Sequence, residues 1–214
     1  MIENAVETRE KLLQSAKQEF LLNGFEKASL RTICKNAGLT TGALYFFFEN
    51  KEDLFDCLVK DAASELKKMM ASFAQTEKVE YQSSISSSES KLPRSDIDHE
   101  KALMRYLYAN KDAFVLLTSM ARGSSYDGFY REMIQFMEQL FSEFVCLYHS
   151  KKIADSPMMK NAVRCMVSFR IHAYLELLQS NIPLEEALSQ AEIIASYAVG
   201  GFENVMNHIK QKYT

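Results

Sequence analysis

Ser29-Leu30-Arg31-Thr32-Ile33-Cys34-Lys35-Asn36-Ala37-Gly38-Leu39-Thr40-Thr41-Gly42-Ala43-Leu44-Tyr45-Phe46-Phe47-Phe48 is the stretch that decides the fold. Ser29 is a strong helix N-cap, and Leu30, Ile33 and Ala37 follow at helical spacing. Gly38 ends that short helix. A second helix begins at Thr40 and carries Leu44 and Phe48 one turn apart. Two short helices joined by a tight turn make a helix-turn-helix. Ile33, Ala37, Leu39 and Leu44 form the small shared core that sets its angle. The outer face of the second helix is left with Thr40, Thr41, Gly42, Ala43, Tyr45 and Phe46. Small residues at its start let the backbone approach a major groove, and hydroxyls there donate to phosphates or base edges. The positive end of the helix dipole favours phosphate as well.

The charges around this stretch agree. From Lys27 to Phe48 the charged residues are Lys27, Arg31 and Lys35, with no acid, and Lys51 follows. The first 60 residues hold eight basic and nine acidic residues, so a positive face has to be a local stripe. The whole chain of 214 residues has net charge −3 and is not a polycation. Its 47% apolar and 25% charged residues suit a globular protein with a buried core. Seven Gly and three Pro are few for a chain built of β-turns and argue for helices.

Outward from the hairpin the pattern remains helical. A first helix is expected from about Asn4 to Leu22, with Leu12, Leu13, Ala16 and Phe20 on one stripe and Asn23-Gly24 as its stop. Another begins after the N-cap Asn50 and aligns Leu54, Leu58, Ala62, Leu66, Met69 and Phe73. Residues 76–100 contain seven serines and no apolar period, which predicts a loop or a loose helix end. Further helices are expected over 99–109, 111–121, 126–150, 156–180 and 184–211, the last two parted by Asn181-Ile182-Pro183. The expectation is an all-α chain of about nine helices. It divides into a helix-turn-helix domain (1–50), a connecting helix (51–75), a Ser-rich loop (76–100) and a ligand-binding and dimerisation domain (101–214).

The block from Thr8 to Lys60 resembles the DNA-binding domain of the TetR family of bacterial transcriptional regulators. The resemblance lies in Thr8-Arg9, Phe20, Asn23-Gly24-Phe25, Ser29-Leu30-Arg31-Thr32-Ile33, Ala37-Gly38-Leu39, Thr40-Thr41-Gly42-Ala43-Leu44-Tyr45, Phe48 and Asn50-Lys51-Glu52-Asp53-Leu54. It implies roles by position. Ser29 and Thr32 would cap the second helix and touch phosphate. Arg31 would reach a base edge or phosphate. Thr40, Thr41, Gly42 and Tyr45 would face the groove, Phe46, a departure from the family pattern, could meet a thymine methyl or a sugar, and Lys51 would neutralise phosphate. Position 43 is Ala where the family often has Thr or Ser. Positions 46 and 47 are both Phe where Tyr, His or Trp is usual, and Phe47 suits the core as well as the surface.

The remainder resembles the family in size and helical pattern, and the resemblance implies a homodimeric repressor on a palindromic DNA operator, released by a small effector. The interface candidates on the last two helices are Tyr174, Leu177, Ile194, Ala198, Gly201 and Val205. Candidates for an apolar or amphipathic ligand are Tyr106, Phe114, Met120, Phe136, Met137, Met166 and Phe169, with Arg170 and His172 to orient it. The same stripes also suit a plain core, and Arg170 also suits a salt bridge between subunits.

An all-α enzyme is the first alternative. The histidines His99, His149, His172 and His208 are far apart, no phosphate loop or nucleophile motif is visible, and no catalytic residue, metal or cofactor is expected. The second is an interaction protein of the same fold with weak or lost DNA binding. The beginning of the chain has no basic region ahead of an apolar run, no stretch is long enough to span a membrane, and the four cysteines are scattered. The expectation is a cytoplasmic protein with reduced thiols.

Overall fold

The computed structural model describes residues 2–85, 95–148 and 151–213, and among them it is built of ten α-helices with no strand. These are α1 (Ile2–Lys27), α2 (Leu30–Asn36), α3 (Thr41–Phe47), α4 (Lys51–Ile85), α5 (Ser95–Ala109), α6 (Lys111–Val115), α7 (Phe129–Tyr148), α8 (Lys151–Ala154), α9 (Pro157–Gln179) and α10 (Leu184–Tyr213). A π-turn, Leu116–Met120, continues α6.

Within 76–100, expected to be a loop or a loose helix end, the described residues 76–85 and 95–100 are helical. α4 runs to Ile85 and α5 starts at Ser95, while residues 86–94 lie outside the described residues. Polar side chains hold the helix here through partners that a hydrophobic period does not reveal. Lys78 pairs with Glu143, and Glu77 lies 3.4 Å from His99, whose ring stacks on Phe73 at 4.2 Å. No described helix is long and apolar enough to cross a membrane.

The chain forms two compact units. The first comprises Met1–Glu65 and Asn110–Tyr130. It is thus larger than the expected 1–50 domain and draws α6 and the loop after it from the segment assigned to ligand binding. Its core is the α1 stripe Leu12, Ala16 and Phe20 packed on Ile33, Leu44, Phe48, Leu54 and Phe55, all buried. Phe55 meets Phe20 and Phe25 edge-on at 5.1 and 5.2 Å. Gly24, at φ 72, breaks the helical path where Asn23-Gly24 predicts a stop. The loop after the π-turn is tied to α1 and α4. Ser125 donates its N–H and hydroxyl to Glu52, the Tyr126 hydroxyl donates to Asp56 at 2.6 Å, and Arg122 pairs with Glu26. Burial and the Asp56 carboxylate push the Tyr126 phenol up, so it stays a proton donor.

The second unit comprises Leu66–Ala109 and Arg131–Thr214. α5 packs on α9 and α10. A second apolar cluster gathers Met137, Val145, Ala154, Met159, Val163 and Val167 from α7, α8 and α9. A charge is buried beside these. Glu100, 2% exposed, pairs with Arg170 and accepts the Tyr174 hydroxyl. A buried carboxylate stripped of its cation is costly, whereas apolar replacement of both partners is nearly neutral. Arg170→Ala is therefore expected to destabilise the protein by about 3–5 kcal/mol, and Glu100→Leu with Arg170→Met to restore most of that. Thermal unfolding followed by circular dichroism checks both.

Candidate nucleic-acid interface

α2 and α3 are too short to persist alone, so each depends on caps and on α1. The Ser29 hydroxyl accepts the Thr32 N–H at 3.3 Å, and the Thr40 hydroxyl accepts the Ala43 N–H at 3.1 Å. Between the helices, Leu39 N–H donates to the Cys34 carbonyl at 2.9 Å and Gly38 N–H to Lys35 at 3.1 Å. That pair of bonds is a Schellman stop, and Gly38 supplies the left-handed residue it needs at φ 69. α4 has its own cap: Asn50 Oδ1 accepts Asp53 N–H at 2.9 Å, while Asp53 accepts Glu49 N–H at 3.0 Å.

Two buried polar residues on α1 anchor the hairpin. Glu19 accepts the Ser29 N–H at 3.1 Å, and Ser15 donates its hydroxyl to the Ile33 carbonyl at 2.8 Å. Neither is among the residues expected from the sequence. Their signal was present, since both interrupt the apolar stripe of Leu12, Ala16 and Phe20 and stand four residues apart.

Leu44 and Phe48 point inward, and Ala43 and Phe47 are half-buried. Thr40, Thr41, Gly42, Tyr45 and Phe46 are exposed together. Tyr45 is 58% and Phe46 77% exposed, an unusual position for large apolar rings. Phe47 lies edge-on to Phe46 at 5.0 Å. A Cβ added at Gly42 would meet only the Thr40 hydroxyl, at 3.8 Å. The fold therefore leaves room for a side chain there, and its absence keeps the helix face low. Lys27 is exposed at the end of α1 and Arg31 and Lys35 on α2, while Ser29 and Thr32 are half-buried.

Lys51, which the resemblance sets against phosphate, is bonded to backbone carbonyls of its own chain. Its ammonium donates to the carbonyl of Phe25 at 2.7 Å and to those of Glu26 and Ala28 at 3.3 Å, and sits 4.6 Å from the Phe25 ring centroid. A cation whose donors serve the carbonyls that close α1 holds the turn into α2.

The residues expected to bind a ligand scatter. Phe114, buried, and Met120, against Gly24, belong to the first unit. Phe136, Met137 and Met166 join the α7–α9 cluster, and Tyr106 on α5 is half-buried. Arg170 is held by Glu100, inside one chain. His172 is exposed, 3.6 Å from Glu176, and Phe169 lies on the outer face.

The interface candidates divide as well. Tyr174 and Leu177 are buried within the second unit, and Ile194, Ala198, Gly201 and Val205 are half-buried, Val205 against the α7–α9 cluster. On α10 the exposed side chains lie one residue away, at Ile193 and Tyr197, and on α9 Phe169 is exposed, with 5.4 Å between the Phe169 and Tyr197 rings. The reason is that the small Ala191 and Ala195 are consumed by packing inside the chain, which turns the neighbouring stripe outward.

Comparison with known proteins follows the same division. Residues 12–58 match the family described as bacterial regulatory proteins, tetR family. The chain is 38% identical over 72 residues to the HTH-type transcriptional regulator YdgC of Bacillus subtilis (strain 168), covering 34% of this chain and 37% of that protein. It is 39% identical over 71 residues to the HTH-type transcriptional repressor BepR of Brucella suis biovar 1 (strain 1330), covering 33% and 34%. The match thus spans about a third of each relative's length. Two solved structures resemble nearly the whole chain in fold. One is a transcriptional regulator of Aquifex aeolicus VF5, with TM-score 0.54, 19% identity and coverage of 86% and 95%. The other is NalD, the secondary repressor of the MexAB-OprM multidrug efflux pump in Pseudomonas aeruginosa, with TM-score 0.55, 18% identity and coverage of 92% and 98%.

Glu19→Ala strips the Ser29 N–H of its buried acceptor and is expected to cost about 1–3 kcal/mol, whereas Glu19→Gln, which keeps an acceptor oxygen, recovers most of it. The thermal midpoints of the two variants test this.

Proposed function

We propose that this chain, whose residues 12–58 match the tetR family of bacterial regulatory proteins, is a transcriptional regulator of that family rather than an enzyme, and that α3 enters the major groove of a DNA operator. The observation that carries the proposal is the outward set Thr40, Thr41, Gly42, Tyr45 and Phe46, beside Lys27, Arg31 and Lys35, with α2 and the turn into it bonded to Glu19, Ser15 and Lys51. Arg31 and Lys35 meet phosphate or base edges. The Thr40 hydroxyl, whose oxygen caps α3, keeps its O–H to donate to the duplex. Lys51 acts through the turn it closes.

In this reading the regulator is a homodimer that represses from a palindromic site, because two heads double the contacts that one short helix makes. The exposed Phe169, Ile193 and Tyr197 supply the apolar centre of the pairing surface. A small apolar or amphipathic effector held in the second unit, among residues such as Phe136, Met137 and Met166, shifts the protein toward one arrangement of its heads. It releases DNA only if it binds that arrangement more tightly.

Purified protein is expected to bind fragments selected from its source genome, with affinity falling linearly in log–log form as salt rises. Arg31→Ala should weaken binding and flatten the salt slope by about one unit if its contact is to phosphate. Retained affinity and slope would remove Arg31 from the interface.

Phe169→Glu together with Tyr197→Glu places like charges at the centre of the pairing surface. The variant is expected to sediment as a monomer at concentrations where the native protein sediments as a dimer. A native protein that sediments as a monomer would overturn the dimer.

A further inference from the structure

Base identity in the major groove is displayed as donors and acceptors and, on thymine alone of the four bases, a methyl group. Arg and Lys read guanine, Asn and Gln read adenine, and acidic side chains read cytosine. The exposed face of α3 has none of these residue types. It offers two threonines, one glycine, the Tyr45 phenol and the Phe46 ring. The neighbouring cations Lys27, Arg31 and Lys35 all precede α3 in the chain, at the end of α1 and on α2. The outward part of α3 is therefore uncharged and partly apolar, and its neighbours suit phosphate.

Phe46 gives the sharper indication. At 77% exposure its ring forgoes most of the roughly 25 cal/mol per Å² that burial would return. It is not loose, because Leu44 and Phe48 anchor the helix on either side and Phe47 packs edge-on against the ring. A held aromatic surface beside a basic stripe is matched by a duplex that presents methyl groups between its phosphates.

Given the DNA-binding role proposed above, we infer that α3 recognises thymine. The Phe46 ring packs on thymine C5 methyl groups of the half-site, and the Tyr45 and Thr41 hydroxyls donate to O4 or phosphate oxygens. Specificity at these positions comes from apolar contact with a methyl group.

The test uses the full-length protein and a random-sequence duplex library. Bound duplexes are sequenced, and the recovered site is synthesised with each thymine replaced in turn by uracil, which keeps its pairing and O4 and loses only the methyl. The expected result is thymine enriched in each half-site, with at least one replacement weakening binding about fourfold, the value of one buried methyl. Phe46→Ala should bind more weakly and no longer distinguish thymine from uracil at that position. Because the replacement is made in the DNA, the native protein alone gives a result even if the variant unfolds. If a defined site is recovered and no uracil replacement alters affinity, the thymine assignment is wrong while DNA binding stands. If Phe46→Ala stays folded and remains as sensitive to uracil as the native protein, Phe46 is not the reader. If no sequence is enriched, the DNA-binding role and the thymine assignment fall together.

Discussion

A helix of seven residues does not hold its shape in water, and everything α3 presents to a partner depends on overcoming that. Leu44 and Phe48 do so by entering the core made by Leu12, Ala16, Phe20 and Ile33. The same burial that forms the helix also orients it, because two inward side chains one turn apart leave only one face outward. Thr40, Thr41, Gly42, Tyr45 and Phe46 are displayed as a set for this reason.

Apolar packing sets that face, and buried polar bonds sharpen it. Glu19, Ser15 and Lys51 each meet a backbone group of α2 or of the turn leading into it. Backbone contacts of this kind fix the position of a chain segment more closely than side-chain packing does, since each has a short distance and a direction. The first unit also takes in residues 110–130, whose Ser125 and Tyr126 are bonded to Glu52 and Asp56 at the start of α4. The helix that follows α3 is therefore held from a part of the chain remote in sequence.

The second unit is built on different terms. Its α7–α9 cluster includes Met137, Met159 and Met166 beside Phe136, Phe141 and Phe144, and the unbranched methionines fill irregular gaps between the rings. A buried carboxylate, Glu100, ties α5 to α9 through Arg170 and Tyr174. Such a pair adds little net stability but penalises alternative packings that would strand either charge. Among the described residues, Met158, Phe169, Ile193 and Tyr197 on α9 and α10 are large apolar side chains left outside, as are Val79 on α4 and Ile97 on α5.

The amino-acid sequence by itself determined the all-helical class, the caps at Ser29, Thr40 and Asn50, the stops at Gly24 and Gly38, and the outward face of α3. Each of these depends on neighbours within a few residues, where periodicity and backbone sterics act directly. The resemblance carried by the block from Thr8 to Lys60 came from the same local pattern, and residues 12–58 are those the family match covers. What only the tertiary structure decided involves partners far apart along the chain. Lys51 turns to three carbonyls of an earlier turn, Arg170 to Glu100, and α4 continues through a serine-bearing stretch because Glu77 and Lys78 find His99 and Glu143. The outer stripe of α10 likewise passes through Ile193 and Tyr197, because Ala191 and Ala195 are spent inside the chain. A polar or small residue carries no mark of which distant group will claim it, and only the closed fold makes that assignment.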